Sequence, residues 1–311
     1  MSTVVRFSPD LPAWIAGHLD RATPPAAIIE IMVAERMESR VAHAIVSAFV
    51  DARRRGEPLP VDAVTLDAAV PEFVYETPTF RDGSRIVTTD KEVRVVARAA
   101  QPRLAVLADL LSAEECEALI ALARPRLAPS TVVDPHHGQD VVAPQRTSLG
   151  MFFRPQENPL IARLDRRISE VMNLPAENGE GIQVLHYPTG AFNTPHFDFL
   201  VPSNSANQAS IARSGQRVST LIAYLNDVDN GGETVFPAAG WEVSPRRGSA
   251  VYFEYSNSRG QLDHRSLHGG KPVLAGEKWV ATKWMRRRRF VSAAQAGAAG
   301  MPLQDARTQS T

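Results

Sequence analysis

The chain has 311 residues, 44% hydrophobic and 22% charged, and its 34 basic and 34 acidic side chains leave it formally neutral. This composition is ordinary for a soluble globular protein, excludes wholesale disorder, and gives no overall positive field for nucleic acid. One cysteine, Cys116, excludes an intrachain disulfide and any multi-cysteine zinc site. The opening segment MSTVVRFSPDLPAWIAGHLDR has no apolar run of about 7–15 residues behind basic ones, so no secretory leader is expected. The most apolar stretch, AAIIEIMVAE, is broken by Glu30 and falls short of the roughly 18 residues of a membrane span. A cytoplasmic protein without a membrane partner is therefore expected. In chain order, residues 24–55 read as one helix. Thr23 can cap it, Pro24 suits its first position, and Ile28, Ile31, Met32, Val41, Ile45 and Phe49 fall near helical spacing. Gly56 and Pro58 end it. Residues 57–95 are mixed, with a hairpin turn expected at Arg81-Asp82-Gly83. Ser112, with Glu115 three positions on, forms a capping box ahead of a second helix. A third helix starts at Asn158-Pro159 and gathers Leu160, Ile161, Leu164, Ile168 and Met172 on one face.

Beyond residue 180 the pattern changes to short apolar runs, GIQVLHY, RVSTLIAYL, GSAVYFEYS and KWVATKW, separated by turns such as PTG, DNGGE, SPRRG and LAGE. Short strands at this spacing indicate an antiparallel sandwich or barrel. The RRRR run at 286–289 reads as a solvated face, and the small, polar tail is expected to be disordered. The fold class is therefore α+β. A mainly helical region spans 1–95, a domain of strands with supporting helices spans 96–290, and a tail spans 291–311.

The strongest chemical constellation is His196-Phe197-Asp198 with His268, and Lys278 ten residues further. On a strand, residues two apart project from one face, so His196 and Asp198 point the same way. Two imidazoles and one carboxylate make a facial triad that leaves three metal positions open, which suits non-haem Fe(II) handling O2 and a chelating co-substrate. An isolated H-x-D is common by chance, so the surrounding motifs carry the weight.

Those motifs are QVLHYPTGAFNTPHFDF, GQRVSTLIAYLNDVDNGGETVFP and SPRRGSAVYFEYSNSRGQLDHRSLHGGKPVLAGEKWVATKW, preceded by LAVLADLLSAEECEALIALARPRL and QRTSLG. In order and spacing this stretch, roughly 102–287, resembles the prolyl 4-hydroxylase family of Fe(II)/2-oxoglutarate dioxygenases. Residues 1–95 lie outside the resemblance. It implies a double-stranded β-helix (jelly-roll) core and iron ligation by His196, Asp198 and His268. Lys278 would pair with the distal carboxylate of 2-oxoglutarate; only four of the 34 basic residues are lysines, so a lysine here is notable. Tyr187 and Thr220 would be further donors to the co-substrate, Trp284 an aromatic wall of the pocket, and Arg146 and Ser148 positions facing a peptide substrate. Each also has a plainer reading as a strand, core or surface residue. The implied cofactors are Fe(II), 2-oxoglutarate and O2, with ascorbate as reductant. The implied reaction couples oxidative decarboxylation to succinate and CO2 with hydroxylation of a C–H bond in a proline-containing peptide or protein.

Other histidines read more plainly. His186 should point away from Tyr187, His264 reads as a neighbour of the site and not a ligand, and His136-His137 lie in a polar stretch near the mouth. The polar segment FLVPSNSANQASIARSGQ after Asp198 is expected to cover the substrate. Competing functions are hydroxylation of a free amino acid or small metabolite, a non-catalytic metal or 2-oxoglutarate-binding module, and zinc hydrolysis. Asp198 argues against a halogenating relative, which needs that position for halide. The N-terminal region could dimerise the chain, dock substrate or cap the fold.

Overall fold

The computed structural model describes residues 3–66, 73–133, 140–142, 147–201 and 205–298. Three helices, α1 Leu11–Asp20, α2 Pro25–Ala34 and α3 Ser39–Arg55, make up the N-terminal region with a strand pair, Thr3–Arg6 against Ala63–Leu66. The single helix expected over 24–55 is thus broken. Arg36 takes a left-handed φ of 68°, and Glu38 starts α3 by accepting a hydrogen bond from the Arg40 N–H at 3.1 Å. Breaking the helix there lets α2 and α3 fold together over a shared core of Ile15, Ile28, Met32, Ile45, Val46 and Phe49.

The region after the N-terminal helices is built on a nine-stranded sheet. In spatial order its strands are Arg85–Val87, Glu92–Ala99, Leu104–Ala108, Ala250–Glu254, Arg217–Tyr224, Lys278–Arg286, Ile182–Tyr187, Leu149–Phe153 and Ala128–Pro129. A four-stranded sheet, Asn193–His196, His268–Gly270, Thr234–Phe236 and Trp241–Val243, faces it. All pairings are antiparallel, giving the expected jelly-roll arrangement of a large and a small sheet. The first two strands of the large sheet carry it N-terminal of the expected boundary at 95–96. Their turn lies at Thr88–Lys91, where the Thr88 N–H donates to the Lys91 carbonyl at 2.9 Å, and not at Arg81-Asp82-Gly83.

Strand alternation divides the core in two. On the strand Lys278–Arg286, Trp279, Ala281 and Met285 face the helices, while Lys278, Val280, Thr282 and Trp284 face the small sheet. The helix side is covered by α4 Ala113–Ala123 and α5 Pro159–Met172. The Ser112–Glu115 capping box and the Asn158 cap form as the sequence predicts, and Ile161, Leu164, Ile168 and Met172 are buried. Between the sheets, Leu185, Tyr224, Phe236, Val251, Phe253 and Val280 form a second core.

Helix α6, Ser205–Ser214, lies within the segment 199–216 expected to cover the substrate, and α7, Ala293–Ala298, occupies part of the tail expected to be disordered. The RRRR run is solvated only in part. Arg286 is buried and donates to Glu180, Ser210 and the Gly215 carbonyl, so it locks α6 to the sheet. Among the described residues no helix is long and apolar enough to cross a membrane.

Candidate active site

His196 ends one strand of the small sheet and His268 begins its neighbour, in direct register. Their ring centroids lie 4.5 Å apart. Nδ1 of His196 donates to the Thr194 carbonyl at 2.9 Å, and Nδ1 of His268 to the Ser266 carbonyl at 3.0 Å. A carbonyl can only accept, so both contacts fix the tautomer and turn each Nε2 towards Asp198. The Nε2 atoms lie 3.6 Å and 3.5 Å from the two Asp198 oxygens. Among the described residues this is the cluster with metal-ligand spacing, its donor atoms all within 4.8 Å of one another.

Asp198 is buried, which alone would raise its carboxyl. The charges of His268, His196 and Arg217, with a hydrogen bond from Thr220, outweigh that and hold it below the usual range. The Thr220 hydroxyl donates to Asp198 Oδ2 at 2.7 Å and is 3.0 Å from the Tyr255 hydroxyl. Thr220 does not line the cavity. Thr220, expected to meet the co-substrate, is buried with its hydroxyl engaged by Asp198 and Tyr255.

A cavity of about 900 Å³ opens in front of this cluster, lined among others by Tyr187, Trp284 and Lys278. Lys278 is 5% exposed and donates to the Gly232 carbonyl at 2.6 Å, with the rings of Tyr187 and Tyr224 5.6 and 5.7 Å away. That carbonyl is presented by the Gly231-Gly232 turn, both at positive φ, and a Cβ on Gly231 would collide with the Pro272 carbonyl. Burial pushes the Lys278 ammonium down to about 8, opposed in part by Glu233. It makes no ion pair with a described carboxylate. A buried cation without an anion, beside two imidazoles and a carboxylate, fits a divalent metal together with an anionic co-substrate.

The expected peptide-facing pair fares differently. Ser148 is buried with its hydroxyl 3.0 Å from that of Ser130, and Ser130 lines the cavity. Arg146 lies outside the described residues, as do His136 and His137. His186 points away from the cavity, stacked on Trp279 and 2.7 Å from Glu277. Sequence reasoning missed Arg217. It forks onto Glu180 at 2.7 and 2.9 Å, donates to the Asp198 carbonyl, and lies over the Trp284 ring at 4.2 Å. A register shift between Arg217 and Ser219 turns it to the cavity face, and simple alternation gives no sign of such a bulge.

The chain is similar in sequence to known proteins. Residues 182–286 match the family model of the 2OG-Fe(II) oxygenase superfamily. The chain is 47% identical over 202 residues to prolyl 4-hydroxylase 1 of Arabidopsis thaliana, covering 60% of this chain and 70% of that protein. It is 41% identical over 204 residues to probable prolyl 4-hydroxylase 3 of the same organism, covering 60% and 69%. A solved viral collagen prolyl hydroxylase from Paramecium Bursaria Chlorella virus-1, in complex with 2OG, aligns at 28% identity over 59% of this chain and 95% of that one, with a TM-score of 0.47. On the strength of its sequence relatives, the chain belongs to the prolyl 4-hydroxylase family of 2OG-Fe(II) oxygenases and is a 2-oxoglutarate-dependent dioxygenase.

Proposed function

We propose that the chain hydroxylates prolyl residues of a peptide or protein, with His196, Asp198 and His268 holding iron and Lys278 holding 2-oxoglutarate. The observation that supports this most is the unpaired Lys278 ammonium in the same cavity as the His-Asp-His cluster. A structural metal needs no cation there. When bound, Fe(II) with 2-oxoglutarate and O2 supplies the oxidative decarboxylation to succinate and CO2 and the oxidation of a substrate C–H bond.

The chain's own residues bind, orient and exclude water. Lys278 neutralises the distal carboxylate of 2-oxoglutarate, and Tyr187 and Trp284 narrow the pocket around it. Thr220 and Tyr255 keep the Asp198 carboxylate turned to the metal position. Phe236 and Phe253 pack on the His268 ring, 5.8 and 4.6 Å away, and keep that side apolar. The prolyl substrate is supported by the relatives' names and by a cavity large enough for a segment of chain. Ascorbate as reductant and a cytoplasmic setting belong to the same reading, the latter supported by a lone cysteine that stays buried.

The test is succinate release from Fe(II), 2-oxoglutarate and air, with and without ascorbate, for proline-rich peptides against free proline. Stimulation by peptides, with mass spectrometry placing one oxygen on proline, is expected. Stimulation by free proline alone would redirect the assignment to a small-molecule hydroxylase.

A further inference from the structure

Helix α2 lies outside the stretch matched by the family model, yet it reaches the active-site cavity. Ala27, Glu30, Ile31 and Ala34 line that cavity, and their spacing of i, i+3, i+4 and i+7 is one continuous helix face. Phe197, between two of the metal-binding candidates, packs against both the N-terminal core and the core between the sheets.

Glu30 is the only acid on that face. One carboxylate oxygen, Oε1, lies 2.7 Å from His264 Nε2, and His264 Nδ1 lies 2.8 Å from the Ser39 hydroxyl. A neutral imidazole protonated on Nε2 satisfies both contacts, donating to Glu30 and accepting from Ser39. With His264 in that form the carboxylate keeps its negative charge. The other oxygen, Oε2, is buried and has no hydrogen-bond partner among the described residues. A buried acceptor without a donor is costly, so a donor from outside the chain is the natural complement. The remaining charges of the cavity are committed. Arg217 is paired with Glu180, and Asp198 and Lys278 serve metal and co-substrate on the reading above.

We propose that α2 is the substrate-facing wall of the active site and that Glu30 accepts a hydrogen bond from a basic side chain of the peptide near its target proline. This rests on the prolyl hydroxylase reading. The enzyme would then be a hydroxylase selective for proline next to arginine or lysine, with that selectivity supplied by its N-terminal extension.

The experiment measures equilibrium binding of fluorescently labelled proline peptides carrying arginine, or the neutral isostere citrulline, beside the proline, together with their stimulation of succinate release. The wild-type protein should bind the arginine peptide at least about tenfold more tightly. Glu30→Gln, which can still accept from His264, should bring the two peptides level. Ser39→Ala, which loosens the other contact of His264 and leaves Glu30 in place, should retain the preference. Equal binding of both peptides by the wild-type protein would overturn the proposal, as would an equal loss of selectivity in Ser39→Ala, since Glu30 would then act only as packing. Succinate formation by the wild-type protein without peptide separates the two levels. If it occurs while selectivity is absent, only the role of α2 fails; if neither succinate nor peptide binding occurs, both readings fail.

Discussion

At the scale of single residues, the proposed function gives Lys278 to the co-substrate and Thr220 to the Asp198 carboxylate. If Lys278 pairs with the distal carboxylate of 2-oxoglutarate as proposed, Lys278→Ala removes one member of a buried charge pair, which typically costs about 2–5 kcal/mol, or roughly 30- to several-thousand-fold in binding. The 2-oxoglutarate KM should rise by that order while iron binding survives; a KM within threefold of wild type would remove Lys278 from the site. The pH dependence has a definite sign. The free ammonium sits at about 8, below its ordinary 10.5, so charge and 2-oxoglutarate affinity are present below pH 8 and fall as pH rises through it. A Lys278→Arg enzyme stays charged and should show a flat KM profile over the same range. Thr220→Val should weaken iron affinity about 10- to 100-fold, because its hydroxyl donates to the Asp198 carboxylate. Iron titration by quenching of intrinsic fluorescence reads this directly, and an unchanged iron affinity with a raised 2-oxoglutarate KM would restore the original assignment.

At the scale of elements, parity along the strand Lys278–Arg286 decides which lysine does what. Lys278 and Lys283 are five residues apart, and they fall on opposite faces. Lys283 is buried on the helix side, 2.7 Å from Asp165 of α5 and in contact with the Glu180 carbonyl. Lys283→Ala should therefore destabilise the fold without a specific 2-oxoglutarate defect. Helix α5 is also pinned by Arg167, whose guanidinium contacts Glu115 at 2.6 Å, Asp90 at 2.6 Å and the Leu110 carbonyl at 2.9 Å. Removing one partner of such a buried pair leaves the other charge uncompensated, so Arg167→Ala should lower stability by about 3–5 kcal/mol in urea unfolding. A loss below about 1 kcal/mol would show that the network relaxes into solvent. These elements were legible because their signals are local: a capping box, an Asn-Pro start, an apolar stripe, a strand period of two. Arg217 was not legible, since the bulge that re-aims it depends on its pairing with the strand Lys278–Arg286. The break at Arg36 was hidden for a similar reason. The apolar spacing runs through it, and only the packing of α2 against α3 selects the left-handed turn.

At the scale of the whole molecule, the N-terminal region is tied to the loop that precedes His268. The Tyr75 hydroxyl donates to Asp263 at 2.6 Å, the Val74 N–H donates to Gln261 at 3.1 Å, and Ser39 and Glu30 hold His264. The jelly roll and the order of the site residues could be read from the sequence because they lie in consecutive motifs. The contribution of α2 to the cavity wall could not, because it joins residues more than 90 positions apart through tertiary packing alone. The central claim is that His196, Asp198 and His268 form the working centre of a 2-oxoglutarate-dependent prolyl hydroxylase. Its most direct test is paired quantification of succinate and hydroxylated peptide for the wild-type and Asp198→Ala proteins under air with saturating Fe(II). The account predicts equimolar products from the wild-type protein and neither product from the variant. Succinate formation by Asp198→Ala at the wild-type rate would contradict it.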